Sequence, residues 1–413
     1  MKKNIWIFHH YGTPPSRGGL TRPYDFSKQL IKKGYNPTIF SSAFNHYTHE
    51  NIDLEGEKYK LQNEEGVNFV WVKTKEYGTN GLDRVKNMIS FFINLFKVTK
   101  EYTKNNERPD VIIASSPHPL TCIAGIYIAK RYNVECIVEV RDLWPESIVE
   151  YSSKLTKKNL FIKMLYQGEK WIYKKADKII FTMEGGADYI KEQGWDKKID
   201  MNKIYHINNG VDLEQFDYNK ENYKIEDEDL DNEELFKVIY TGSIRRVNNI
   251  GILLDAAKNI DNPRVKFLIW GDGNELEELK QRVIDEKIDN VRFKGRVEKK
   301  YIPYILSKSD LNMCHSTETD LFKRGISFNK LFDYYASGKP ILADFKMSYN
   351  PLEKYKCGLS CNVSEVSNTI NQIILDDNNY NEMSVNCEKV SKIYNFSVLT
   401  KSLIEIIELK KGC

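Results

Sequence analysis

Arg324-Gly-Ile-Ser-Phe-Asn-Lys-Leu-Phe-Asp-Tyr-Tyr-Ala-Ser-Gly-Lys-Pro340 reads as a loop, one short helix and a hard stop. Ser327 carries the hydroxyl of a good N-cap, Gly338 stands where the residue beyond a helix C-cap stands, and Pro340 forbids continuation. These bounds predict a helix of about two to three turns that starts near Phe328 or Asn329. Its tip offers unpaired N–H groups and a positive dipole end, which suits an anion. Ser327, Asn329 and Lys330 add a hydroxyl, an amide and an ammonium there. Asp333, four residues after Asn329, shares its face one turn further in. A diphosphate at the tip and a ribose diol at Asp333 fit this layout. The plainer alternative is a capped surface helix.

On either side of this stretch, short apolar runs alternate with helical ones. Before it come a strand at Phe236–Tyr240 with the loop Thr241-Gly-Ser-Ile-Arg-Arg246, and a strand at Val265–Trp270 with Gly271-Asp-Gly273. Val291–Lys294 leads into Gly295-Arg-Val297, and Leu311–Cys314 into His315; Ile341–Ala343 follows the helix. In a parallel α/β sheet these loops meet at one edge, so Gly242, Ser243, Arg246, Arg296, Val297 and the Ser327–Lys330 tip are candidate ligand contacts.

The first half has the same grammar. Ile5–Phe8 is a strand, Gly18-Gly19 closes the loop after it, Thr21–Lys33 has helical spacing, and Pro37–Ser41 is the next strand. The dinucleotide Gly-x-Gly-x-x-Gly spacing is missing. Gly18 and Gly19 would let backbone approach a ligand, with Arg17 and Arg22 adding charge. His46–Gly66 is polar and reads as a surface excursion, its His46 and His49 as solvated side chains. Leu82–Tyr102 is a long helix with an apolar stripe, suited to packing on the sheet or, with its lysines, to an interface. Val111–Ser115 and Glu135–Val140 are buried strands; the second runs into Arg141-Asp-Leu-Trp-Pro-Glu146. That position makes Asp142 and Glu146 candidates for contacting a sugar hydroxyl or taking its proton, and an Arg141–Asp142 ion pair the alternative. Lys154–Lys175 reads as a basic helix. Acidic Glu221–Glu234 reads as a solvated insert.

With 413 residues the chain suits two domains. The boundary falls at Asn208-Asn-Gly-Val-Asp212, giving 1–208, 209–395 and a last helix in 396–413 that packs back on the first domain. Residues 1–210 carry 32 Lys and Arg against 24 Asp and Glu, a balance of +8, within a total of +3. A basic first half suggests an anionic membrane surface as partner. The seven cysteines show no metal or disulfide spacing, which fits a reducing cytosol. Met1-Lys-Lys-Asn leads straight into a strand, so no cleavable signal is expected, and no run is long enough to span a bilayer. Nucleic acid is not an expected partner.

On these residues the chain resembles retaining glycosyltransferases of family 4, with the GT-B fold. It is most similar to the bacterial O-antigen, capsule and colanic-acid-type subgroup, N-acetyl-L-fucosamine transferases included. The stretches that carry the likeness are His9–Gly19, Arg141–Glu146, Asn209–Asp212, Tyr240–Arg246, Trp270–Asn274 and, most specifically, Gly325–Pro340. The resemblance implies an α/β architecture of two Rossmann-like doubly wound domains facing across a cleft. It implies a UDP-sugar donor on the C-terminal domain and a lipid-linked saccharide acceptor on the N-terminal one, at the cytoplasmic membrane face. Ser327, Asn329 and Lys330 would meet the diphosphate, and Asp333 holds the ribose-binding position of the family's Glu-x7-Glu motif. Gly325 replaces its first carboxylate. Arg246 is the implied phosphate contact, while Asn248 stands at the usual Lys position. Asp142 takes a site role where many relatives place a histidine. No cofactor and no metal are implied, and attack on the front face is assisted by the leaving phosphate. A UDP-sugar 2-epimerase of the same architecture and a non-catalytic partner in polysaccharide assembly are the rival readings.

Overall fold

The computed structural model describes residues 3–78, 81–152, 154–246 and 248–409. The chain divides into two compact units, residues 1–208 with 399–413, and residues 209–398.

The first unit is built on an eight-stranded sheet. Its strands are β1 (Asn4–Phe8), β2 (Asn36–Ser42), β3 (Tyr59–Glu64), β4 (Val67–Val72), β5 (Val111–Ser116), β6 (Glu135–Val140), β7 (Lys178–Phe181) and β8 (Ile204–His206). They lie in the order β3-β4-β2-β1-β5-β6-β7-β8. All neighbours are parallel except β3 and β4. Parallel strands are covered on both faces, which is why β1, β5 and β6 read as continuous apolar runs. Trp6, Phe8, Phe40, Phe91 and Ile112 share one buried core; full burial of each such side chain contributes about 1.5–3 kcal/mol. Helices α1 (Arg22–Lys32), α2 (Leu82–Tyr102), α3 (Pro119–Tyr132), α4 (Glu146–Tyr151) and α5 (Leu160–Lys175) connect the strands.

Three expectations are corrected here. The polar stretch 46–66 contains β3, an antiparallel edge strand whose run Lys60-Leu-Gln-Asn-Glu64 has too few apolar residues to be told from a loop. The basic region 154–175 is not one helix: α5 starts at Leu160, where the Asn159 side chain accepts from Phe161 N–H at 2.9 Å. The acidic stretch 221–234 is docked, not free. Leu230 is buried, and Lys294 Nζ meets Asp227 at 2.7 Å and Asp229 at 2.6 Å.

The second unit carries six parallel strands: β9 (Phe236–Thr241), β10 (Val265–Trp270), β11 (Val291–Gly295), β12 (Leu311–Cys314), β13 (Ile341–Ala343) and β14 (Gly358–Ser360). Their order is β11-β10-β9-β12-β13-β14. In both sheets the order reverses beside the first strand, between β1 and β5 and between β9 and β12. Ligands of doubly wound sheets bind beyond the carboxyl ends of the strands at such a point. The last helix runs Phe396–Glu408. Its C-terminal part is tied into the first unit by Lys3 Nζ to Glu408 at 2.6 Å, Tyr35 to Glu408 at 3.0 Å and Lys178 Nζ to the Leu409 carbonyl at 2.5 Å. Residues 410–413, which include Cys413 and the end of the expected helix, lie outside the described residues.

Candidate active site

In the second unit the decisive helix runs Asn329–Ala336. Gly338 follows it at φ +67°. The expected cap is corrected: Phe328 is the N-cap residue, and no side chain caps the helix. Ser327 is engaged elsewhere. Its hydroxyl accepts from Asn209 N–H at 3.4 Å, and its carbonyl accepts from Asn209 Nδ2 at 2.8 Å. The same Nδ2 donates to Asn329 Oδ1 at 2.9 Å. Asn209, which sequence reasoning did not place in the site, therefore orients two of its residues and leaves the helix tip uncapped.

Lys330 lies with Nζ 3.3 Å from the Tyr240 hydroxyl and 4.3 Å from the centre of its ring. Burial alone would lower this ammonium, but Tyr240 and Tyr334 beside it hold it above its ordinary value. It is a fixed cation at neutral pH. The Tyr240 hydroxyl donates in turn to the Ser243 carbonyl at 3.1 Å, which joins the helix tip to the Gly242–Arg246 loop. That loop is stitched to the next one by Gly242 N–H to the Trp270 carbonyl at 3.0 Å and Ile244 N–H to the Asp272 carbonyl at 2.9 Å. The approach is so close that a Cβ on Gly271 would stand 1.8 Å from the Gly242 carbonyl oxygen, so only glycine fits. Arg246 is exposed at this edge, and Ser243 donates to the Asn248 side chain at 2.8 Å. Arg296 and Val297 follow β11, two strands from β9, or about 10 Å across the sheet. Asp333 is half-buried; the surrounding protein pushes its carboxyl up while Lys299 pulls it down.

His315, which the sequence placed at this edge after β12 without a role, is fully buried. One ring nitrogen meets Asp344, and the other lies 3.1 Å from the Asn249 carbonyl. The pair pins the far end of the loop that carries Arg246.

The first unit gathers a second set. Gly18 and Gly19 lie here, in the loop after β1. The charges expected beside them are corrected. Arg17 is paired with Glu64 at 2.9 Å. Arg22 is buried, bonded to Glu139 at 2.8 Å and to the carbonyls of Ile207 and Asn208. Arg22 thus anchors the segment by which the chain leaves this unit. Burial would raise Glu139, but Arg22 and Arg141 overcome it and hold the carboxyl at about 2.

Asp142 is exposed and bridges to no cation among the described residues; the alternative of an Arg141–Asp142 ion pair is not formed, and Arg141 Nη1 donates instead to His9 Nε2 at 3.1 Å. Crowding by protein raises the Asp142 carboxyl while Arg141 and Arg84 lower it, and its exposure lets water screen both effects. Below it lie three buried histidines, which sequence reasoning left unassigned. His10 Nδ1 and His118 Nε2 share one hydrogen bond at 2.5 Å. Burial, aided by Arg141 at His9 and by Arg84 at His118, drops both of these to about 3. His10 is lowered by burial and by His118. All three are neutral imidazoles at physiological pH.

Glu146 lies away from this set. Its carboxylate meets Lys157 Nζ at 2.5 Å and the Tyr166 hydroxyl. Next to it Glu169 accepts from Tyr173 and Tyr189, each at 2.7 Å. Burial raises Glu169 to about 8, from an ordinary 4.5. Between those values the unfolded chain has lost this proton while the folded chain keeps it. The stabilisation is therefore complete below about pH 4.5 and is lost as pH rises to about 8. Glu169→Gln should remove the dependence. Urea denaturation should show wild type losing stability relative to the variant by at most about 1.4 kcal/mol per pH unit across that window, and levelling off above it.

Two family profiles match the chain: Glycosyltransferase Family 4 over residues 17–215 and Glycosyl transferases group 1 over residues 222–390. A curated relative, the probable glycosyltransferase WbjE of Pseudomonas aeruginosa, is 21% identical over 249 residues. The match spans 60% of this chain and 60% of that relative's length. Among solved structures, Anabaena Alr3699/HepE in complex with UDP superposes with a TM-score of 0.68 at 14% identity, covering 98% of both chains. A putative UDP-N-acetylglucosamine 2-epimerase from Listeria monocytogenes superposes with a TM-score of 0.57 at 10% identity, covering 99% of this chain and 96% of that one.

Proposed function

We propose, for a chain that belongs to the GT-B glycosyltransferases, transfer of a sugar from a UDP-linked donor to a lipid-linked saccharide in bacterial surface-polysaccharide synthesis, with retention at the anomeric carbon. The observation that carries this reading is the uncapped Asn329–Ala336 helix with the half-buried Lys330 ammonium held against Tyr240 beside it, at the switch point of the second sheet. A leaving diphosphate gains charge as the glycosidic bond breaks. A fixed cation, helix-tip N–H groups and Arg246 stabilise it as that happens, in place of a divalent metal. Asp333 takes the ribose. In the first unit Asp142 receives the acceptor hydroxyl, whose attack on the donor's front face is assisted by the leaving phosphate. Glu146, held by Lys157 and Tyr166, positions the segment after Asp142.

The 2-epimerase likeness in fold supplies the competing reading. NMR of UDP-sugars incubated with the protein alone separates the two. A transferase leaves the donor nearly unchanged over hours and releases UDP when a lipid-linked primer is added. Conversion of the donor to a second sugar nucleotide without acceptor would establish the epimerase.

We further propose that the first unit docks on anionic lipid at the cytoplasmic membrane face. No described helix is long and apolar enough to cross a membrane. Helix α2 exposes Leu82, Val85, Ile89 and Ile93, which fall on one face, and α5 exposes Leu160, Phe161 and Met164. Lys86, Lys97, Lys158 and Lys163 flank them, each exposed. Lys157, bound to Glu146, and Lys86, bound to Asp83, are left out of the test below. Each basic side chain contributes on the order of 1 kcal/mol at such a surface, less with salt. Co-sedimentation with phosphatidylglycerol vesicles should fall with added salt and with reversal of Lys97, Lys158 and Lys163 to Glu, while UDP affinity stays constant. Indifference of wild type to anionic vesicles at low salt would end this part of the reading.

A further inference from the structure

At the carboxyl edge of the second sheet the register sets Cys314 of β12 beside Ala343 of β13, so the next residues, His315 and Asp344, come together. Both side chains are fully buried. Each ring nitrogen of His315 faces an acceptor. Nδ1 meets Asp344 Oδ2, and Nε2 lies 3.1 Å from the Asn249 carbonyl oxygen. Neither a carbonyl nor an ionised carboxylate can donate, and a neutral imidazole has a single N–H. Both bonds together therefore need a second proton in the dyad. Burial favours the same state. Asp344 Oδ1 has no hydrogen-bond partner among the described residues. Beside a neutral imidazole this carboxylate would be a buried charge with no cation bonded to it. With two protons the dyad is neutral as a whole.

The bond to Asn249 reaches the donor side. Asn248 and Asn249 N–H both donate to the Arg245 carbonyl, at 2.7 and 3.2 Å, and close a turn around Arg246. Asn249 ends that turn in the left-handed region, at φ +49°. Its carbonyl also accepts from Ile252 N–H at 3.1 Å, at the start of the helix Gly251–Lys258. Once the second proton is lost, the charged carboxylate, as the stronger acceptor, keeps Nδ1–H. The Nε2 lone pair then faces the Asn249 oxygen, and attraction becomes repulsion.

We propose that His315 is a positioning residue for the donor diphosphate and works with both ring nitrogens donating: the proton retained at Asp344 keeps the Arg246 turn in place. This rests on the UDP-donor reading of that turn. The groups that face the dyad hold their charge states between pH 6 and pH 9. Burial pushes the Cys314 thiol up to about 12 and the Cys361 thiol, just after β14, up to about 11. Lys330, on the Asn329–Ala336 helix, stays a cation. So do Arg245 and Arg246 of the turn, and Arg282, which donates to the Gly251 carbonyl at 2.9 Å. Raising the pH should therefore loosen the turn through the dyad.

Calorimetry of UDP binding to the full chain at pH 6 and pH 9 tests this, with Asp344→Asn as the reference. The amide can donate to Nδ1 and leave Nε2–H for Asn249, so a neutral histidine makes both bonds at either pH. Ionisation of UDP is common to both proteins and cancels in the ratio of their affinities. The affinity of wild type relative to Asp344→Asn should fall by about fivefold or more from pH 6 to pH 9, as expected for the loss of one neutral hydrogen bond. In an Arg246→Ala background the same ratio should change by less than about twofold, because His315 acts through that turn. A ratio that stays constant with Arg246 present, or that falls equally without it, overturns the positioning role. Loss of UDP binding at both pH values in a folded Asp344→Asn overturns it too, since the carboxylate itself would then be essential. Failure of wild type to bind UDP at either pH would instead overturn the transferase reading.

Discussion

Replacing Lys330 with Ala should weaken UDP binding by about tenfold to over a hundredfold, since a charge-assisted hydrogen bond is worth roughly 1.5–3 kcal/mol. The side chain is held against Tyr240, so the free protein already presents the ammonium in place and little ordering remains for the moment of binding. Lys330→Met keeps the aliphatic stem over the Tyr240 ring and removes only the charge. It should lose nearly as much affinity as the alanine variant. Calorimetry with UDP checks both, and unchanged affinity in the methionine variant would reject the diphosphate assignment.

The second large effect is expected at Asp142. Asp142→Asn should lower turnover by about 10²–10⁴-fold, the usual contribution of a positioned acid–base group, and leave UDP affinity near wild type. Asp142 belongs to the first unit and the UDP-contacting candidates to the second, so the two readouts separate. Among the described residues the carboxylate makes no ion pair that the amide would break, which keeps the variant informative about chemistry. Parallel losses of turnover and UDP affinity would place Asp142 in donor binding.

How much of this was legible in the sequence depended on how local each cause is. The helix at Asn329–Ala336 is bounded by a glycine and a proline that act within a few residues, and its position was read directly. The role of Ser327 was misread for the opposite reason. Its hydroxyl is claimed by Asn209, 118 residues away, and no local rule weighs a distant partner against a cap. Arg17 and Arg22 failed alike. An arginine beside a glycine loop looks like a phosphate contact until Glu64 and Glu139 are brought in by other strands. The apolar strands of both sheets were readable because they are buried on two faces. The edge strand β3 was not, because neither of its faces is a continuous apolar row: Lys60, Gln62 and Glu64 alternate with a Leu61 that is itself exposed. The histidines are the deepest omission. His10 and His118 become a pair only when β1 and β5 lie side by side, and a buried neutral imidazole has no signature in sequence. The adjacency of His9 and His10 at the end of an apolar strand was the available signal.

The most direct test of a UDP-dependent transferase is mass spectrometry of lipid-linked saccharide primers incubated with wild-type protein and a panel of UDP-sugars. The account expects one primer to gain the mass of a single sugar residue, with UDP released in equal amount and the product lost in Asp142→Asn. A donor that is altered while every primer keeps its mass would contradict it.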